Sequence, residues 1–350
     1  LHGELRVDVL QAALDALAAR HDAFRLVFSA GADGLRQQAR PPAPVPLEVH
    51  DLRTRAPEAR AEAVADRLER CAQAPFDLGA GALLRGVLLR TGGDEWILAL
   101  ATHHIVYDGW SREILLRELS VAYREGALPP SRPGAGAQFA DVAAARRARL
   151  GPARLNVLSG YWHGVLAGAE PPALPVDRAP VAAPSFAGDR LTVHWPPALL
   201  ERLRSVGRRH GATLHMVLVA AVQALLRRYT GQGDLVVGTA VADRDSLAVA
   251  DTIGYLVNTL AIRADLSDDP SFAELLARVR SACLGAYAHA DLPFDALAAE
   301  LSAAGGDAPA VRAMVVLEGP GDGELELAGL RAEPLPLPGH SAKFELSVLA

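Results

Sequence analysis

Residues 83–111 read LLRGVLLRTGGDEWILALATHHIVYDGWS. Two apolar runs, Leu83 to Arg90 and Trp96 to Ala101, flank the turn residues Gly92-Gly93-Asp94, so the stretch predicts two strands joined by a tight connection. His103 and His104 stand where the second strand ends. Ser111 can cap a helix running to about Tyr123 that carries Ile114, Leu115, Leu119 and Val121 inward. A histidine held at a strand end has a direct use: neutral imidazole accepts a proton near pH 7, and a loop exposes it to substrate. His104 is the candidate base, whereas His103 is read as packing or hydrogen-bonding behind it. Gly109 is expected to supply a backbone angle that a Cβ would penalise. Asp108 is expected to be held inward by an arginine or by backbone amides rather than to act on substrate.

Working outward, the spacing predicts a helix over Val9 to Arg20, a strand over Phe24 to Phe28 and a helix over Pro57 to Ala74. Leu128 to Gly136 is too rich in Pro and Gly for regular structure, and Phe139 to Leu166 reads as one or two helices. Pro and Ala dominate residues 171–188, which suits an extended connector. Beyond it the pattern gives a strand over Arg190 to His194, helices over Pro197 to His210 and Leu214 to Tyr229, and strands over Leu235 to Val241 and Leu256 to Ile262. A helix over Phe272 to Ala288 and a strand over Ala313 to Leu317 follow. Two halves of similar element order suggest two related α/β lobes: residues 1–170 carrying the histidines, a connector over 171–189, and residues 190–350.

At 350 residues the chain exceeds the size at which one core usually stops growing, and half of it is hydrophobic, so both lobes can be filled. The net charge of -6 is built from interspersed acids and bases, which argues against a nucleic-acid surface. Cys71 and Cys283 are the only cysteines, with no pairing at metal-ligand spacing, so reduced thiols and no metal are expected. No apolar run approaches the roughly 18 to 20 residues of a membrane helix, and a soluble cytoplasmic protein is expected. No phosphate-cradling glycine motif is present, so no bound cofactor is expected.

His103 to Ser111 fits HHxxxDG followed by Trp-Ser, and in this it resembles the nonribosomal peptide synthetase condensation domains of the HHxxxDG acyltransferase superfamily. Other segments resemble the family in its own order. Upstream lie Arg20-His21-Asp22-Ala23-Phe24-Arg25 and Pro75-Phe76-Asp77-Leu78. Downstream lie Val236-Val237-Gly238-Thr239-Ala240-Val241-Ala242 with Arg244, then Ile253-Gly254-Tyr255-Leu256-Val257-Asn258-Thr259-Leu260, and His289-Ala290-Asp291-Leu292-Pro293-Phe294. The family's opening segment is absent and the chain stops just after Lys343-Phe344-Glu345-Leu346, so against the family both ends look truncated. Near Arg312 to Glu318 the family pattern is eroded.

The resemblance implies a mixed α/β fold of two chloramphenicol acetyltransferase-like lobes forming a V-shaped pseudo-dimer, with the active site in a tunnel at their interface. It implies amide formation between a donor acyl thioester and the amine of an acceptor aminoacyl thioester, both carried on phosphopantetheine arms of upstream and downstream peptidyl carrier proteins. The adenylation domain is expected in the same polypeptide, and the domain itself as monomeric. His104 would be the catalytic residue, with His103, Asp108 and Gly109 around it. Asp108 is expected to pair with Arg25 or Arg20. Trp110 and Ser111, together with Asn258 and Thr259, would line the tunnel or support it. Two alternatives are a stand-alone O- or N-acyltransferase and an inactive, condensation-like recruitment module. Trp-Ser after the motif argues against epimerization, and the intact histidine pair argues against heterocyclization.

Overall fold

The computed structural model describes residues 1–350 apart from 32–33, 132–133, 135, 178–185, 245, 304–310, 319–323 and 337–340. The fold is mixed α/β and divides into two compact units that interleave in sequence. The first comprises Leu1–Ala148, Asp243–Leu256 and Pro320–Leu335; the second comprises Arg149–Ala242, Val257–Gly319 and Pro336–Ala350.

In the first unit the two apolar runs around Gly92 form strands Leu84–Arg90 and Trp96–Thr102, paired antiparallel with Arg90 opposite Trp96 and Leu84 opposite Thr102. Leu47–Asp51 joins the other edge of Leu84–Arg90 in parallel. The two-residue period of the central strand decides what each face buries. Leu84 and Leu88 enter the main core beside Leu10, Leu14 and Leu17 of helix Val7–Arg20 and Ile114 and Leu119 of helix Gly109–Glu125. Val87 and Leu89, one step out of phase, pack with Leu68 of helix Pro57–Gln73. At Gly86 the sheet leaves no room for a side chain, since a Cβ there would come within 2.9 Å of both Leu100 and Leu47. A separate antiparallel hairpin, Leu26–Gly31 with Gly34–Ala39, completes this unit's strands among the described residues.

The second unit has its own core. Its sheet runs Val257–Asp265, Asp234–Ala242, Ala313–Val316, Leu346–Leu349, the first pair antiparallel and the others parallel. Helices Leu214–Thr230 and Phe272–Ala288 supply Val219, Leu226, Leu276 and Val279 to that core. Each begins with a side-chain cap, Thr213 or Ser271, accepting the N–H three residues on.

Several expectations need correction. Helix Pro152–Leu166 buries Leu158, Trp162 and Leu166 in the second core, so the second unit starts at Arg149 rather than beyond 171. Conversely, Asp243–Leu256 belongs with the first unit, held there by the hydrogen bonds described below. Within the expected connector, residues 178–185 lie outside those described. Arg190 to His194 is not a strand; Leu191 is 89% exposed and Val193 64%, and with no strand beside it among the described residues its alternation does not make a sheet. The strand expected from Phe24 begins at Leu26, after a 3-10 turn over Asp22–Arg25.

Candidate active site

The strand Trp96–Thr102 ends, and a short 3-10 turn over His104–Val106 delivers the chain to helix Gly109–Glu125. His103 caps that turn: its Nδ1 accepts the Ile105 N–H at 3.0 Å, and its ring meets Phe76 edge-to-face at 5.8 Å. Burial, and secondarily the adjacent His104, holds the His103 imidazole below the ordinary histidine range, so it is neutral near pH 7. Its contacts are those of a supporting residue behind His104.

His104 is exposed. Its Nδ1 lies 2.5 Å from the carbonyl oxygen of Tyr107. A carbonyl oxygen only accepts, so Nδ1 carries the hydrogen, and in the neutral ring Nε2 keeps its lone pair. The tautomer, which no sequence shows, thus follows from the partner. The ring also stands perpendicular to that of Tyr255, at 89° and 5.2 Å between centroids.

Asp108 faces the other way. It is the helix N-cap in place of the expected Ser111, its Oδ1 accepting the Ser111 N–H at 2.8 Å. Oδ1 also lies 2.7 Å from Ser111 Oγ and accepts from Arg244 Nη2 at 3.0 Å, while Oδ2 accepts from Arg244 Nη2 at 3.1 Å and from the Leu256 N–H at 3.0 Å. The Asp108 and Arg244 side chains are 1% and 2% exposed. With both oxygens engaged and solvent excluded, Asp108 is a structural anion. Its partner is Arg244, not Arg25 or Arg20. Arg25 instead donates to the carbonyls of Ala18, Ala19 and Arg40, satisfying the C-terminus of helix Val7–Arg20. Arg20 pairs with Glu118 at 3.3 Å.

Arg244 belongs to the Asp243–Leu256 segment, and its grip is repeated along that stretch. Its Nη1 donates to the Val249 and Thr252 carbonyls. Ser111 Oγ accepts the Gly254 N–H at 3.0 Å, Trp110 Nε1 donates to the Ala250 carbonyl at 3.1 Å, and Arg117 pairs with Asp251 at 2.7 Å. Gly254 is required by space: a Cβ would stand 2.3 Å from the Phe139 ring. Gly109 is not required in this way. Its φ is not in the left-handed region and a Cβ there meets nothing within 4 Å, so the expected backbone role is not borne out. Trp110 remains 47% exposed.

Asn258 and Thr259 lie in the second unit. Asn258 Nδ2 donates to the Ala290 and Leu292 carbonyls at 2.8 and 2.7 Å, and its Oδ1 accepts the N–H groups of Thr259 and Phe294. Three of these bonds fasten strand Val257–Asp265 to the loop before, and the first residue of, helix Phe294–Ala303, and the fourth stays within the strand. Arg244 and Tyr255 were visible in the sequence only as members of family-like segments; nothing in spacing alone points Arg244 at Asp108. No helix among the described residues is long and apolar enough to cross a membrane.

A family model described as "Condensation domain" matches residues 1–350. A linear gramicidin synthase of Brevibacillus parabrevis is 39% identical over 99% of the chain, which spans 7% of that protein. The curated relatives are thus far longer than this chain. Among solved structures, the first condensation domain of the calcium-dependent antibiotic synthetase, in complex with a substrate analogue, superposes with a TM-score of 0.72 at 27% identity, covering 91% of this chain and 74% of that one. The X-domain in its complex with OxyB from teicoplanin biosynthesis superposes with a TM-score of 0.85 at 30% identity, covering 99% and 76%. A motif histidine held ready by its own backbone, an aspartate locked by a distant arginine and a match along the whole chain lead to one conclusion: the chain belongs to the condensation-domain family.

Proposed function

We propose that this chain forms an amide bond between a donor acyl or peptidyl thioester and the amine of an acceptor aminoacyl thioester, each tethered to a carrier protein by phosphopantetheine. The observation that carries this reading is the exposed His104 with Nδ1–H committed to Tyr107 and Nε2 without a hydrogen-bond partner among the described residues. The acceptor nitrogen attacks the thioester carbon and forms the C–N bond. Nε2 takes the proton that the nitrogen sheds. The tetrahedral oxyanion collapses, the C–S bond breaks, and the departing thiolate receives the proton from the imidazolium. Atoms and charge balance, and no bound cofactor enters the step.

A positioned general base contributes about 10² to 10⁴-fold. Alignment of two tethered reactants supplies as much as roughly 7 to 11 kcal/mol, and an amine is already a capable nucleophile towards a thioester. Positioning is therefore the larger effect and His104 the sharper diagnostic. Asp108 contributes through the fold. The partners on this reading are an upstream and a downstream carrier protein, with an adenylation domain in the same polypeptide.

A second reading is favoured by the similarity to the teicoplanin X-domain, which was solved in complex with OxyB: a recruitment module that binds a partner without forming a bond. The test presents the protein with a loaded donor carrier and a loaded acceptor carrier and follows the acceptor by intact-protein mass spectrometry. A mass increase equal to the donor acyl group supports condensation. Carrier binding without transfer, across several acyl pairs, supports recruitment.

A further inference from the structure

A single hydrogen bond leaves an imidazole one freedom. The Nδ1–H bond to Tyr107 fixes which nitrogen faces the backbone, yet the ring can still swing about that contact and carry Nε2 through a wide arc. Only one aromatic neighbour of His104 is described, the ring of Tyr255, perpendicular at 89° and 5.2 Å between centroids, within the range preferred by aromatic pairs. We propose that Tyr255 is the positioning residue of His104: its ring stops the swing and holds Nε2 in one direction.

Three observations support this. Tyr255 is itself fixed from both sides, because Gly254 is bonded through its N–H to Ser111 Oγ and Leu256 through its N–H to Asp108 Oδ2. Those two acceptors sit at the start of the helix that follows His104, so base and positioning ring are referenced to the same two residues. Tyr255 is also 41% exposed while its chain neighbours Ile253, Gly254 and Leu256 are buried, which leaves its ring at the surface beside the exposed His104. The described ring contact of Tyr255 is with His104 rather than with the core. The buried lock of Asp108 and Arg244 therefore has a consequence at the reactive nitrogen: it sets the position of Tyr255.

The inference rests on the proposed role of His104, and its test separates the two. Wild type, Tyr255→Phe and Tyr255→Leu are compared by carrier-bound amide formation under saturating and subsaturating acceptor, and by nitrogen NMR of labelled histidine, with the His104 signal assigned by its loss in His104→Ala. Because the shape of the ring and not the hydroxyl does the positioning, Tyr255→Phe retains a kcat within about twofold, and Tyr255→Leu lowers kcat roughly two- to tenfold with KM little changed. In all three the His104 ring keeps hydrogen on Nδ1, because Tyr107 sets it; in Tyr255→Leu the His104 signal broadens as the ring samples several orientations. Thermal unfolding of all three excludes simple misfolding. Tyr255→Leu with wild-type kcat and an unchanged His104 signal overturns the proposal. If wild type forms no amide, the condensation reading fails, and the NMR comparison still decides whether Tyr255 orders the ring.

Discussion

Replacing Asp108 by alanine removes a carboxylate whose side chain is 1% exposed and leaves Arg244, itself 2% exposed, without its counter-ion. It also strips the Ser111 and Leu256 N–H groups of their acceptor. Breaking a buried pair by deleting one partner costs about 3 to 5 kcal/mol. For a unit of this size each kcal/mol moves the melting point by roughly 2 to 4 °C, so Asp108→Ala should lower Tm by about 10 °C. The assay is thermal unfolding of wild type, Asp108→Ala, Arg244→Met and the double variant. Because the two groups share one interaction, the double variant should lose clearly less than the sum of the singles, a coupling of roughly 1 to 3 kcal/mol. Amide formation, measured well below the lowered Tm, should then recover in part. An Asp108→Ala protein with unchanged Tm and no activity would refute the reasoning, since the carboxylate would then act in the reaction and not in the fold.

Other consequences are equally direct. Burial pushes the Glu118 carboxyl up, but the hydrogen bond from His21 and the neighbouring Arg20 guanidinium outweigh it and hold the group below its ordinary value of 4.5. The unfolded chain then binds the proton first, so this stabilisation is present above about pH 4.5 and is lost as pH falls through the lower folded value. Glu118→Gln should flatten the acid side of a Tm-against-pH curve, and an unaltered slope would show that Glu118 plays no part in acid stability. Gly109→Ala should leave stability unchanged or slightly raised, since a Cβ there meets nothing, whereas Gly254→Ala forces a 2.3 Å contact with Phe139 and should cost about 1 to 3 kcal/mol in denaturant unfolding. Equal losses at both positions would contradict the packing described. Asn258→Ala strands the Ala290 and Leu292 carbonyls and the Phe294 N–H, and should destabilise by about 1 to 3 kcal/mol in the same assay.

The local grammar of the chain was largely readable. Strands Leu84–Arg90 and Trp96–Thr102 and the helix after them fall where hydrophobic period and turn residues put them, and the histidines stand at the strand end as expected. What depended on distant pairing was not readable. Arg190 to His194 alternates like a strand, but nothing in its own residues reveals that no described strand pairs with it. The short strand Leu47–Asp51 was missed because its parallel partner lies beyond a whole helix. At the site the gap has the same cause. The buried-anchor reading of Asp108 fits the structure, but its arginine stands 136 residues away in sequence, where nothing local singles out Arg244 over the expected Arg25 or Arg20. The capping role passed from Ser111 to Asp108 because either residue type suits an N-cap and only the backbone decides which one turns inward.

Proton transfer at His104 is tested most directly by the single-turnover rate of amide formation between loaded donor and acceptor carriers for wild type and His104→Ala, both shown folded by thermal unfolding. His104 can be removed without disturbing the fold, because it is exposed and the hydrogen bond it gives up is to the adjacent turn. The predicted result is an unchanged Tm with a rate lower by about 10² to 10⁴-fold. A folded His104→Ala protein that forms the amide within a few-fold of the wild-type rate would contradict the assignment of proton transfer to this residue.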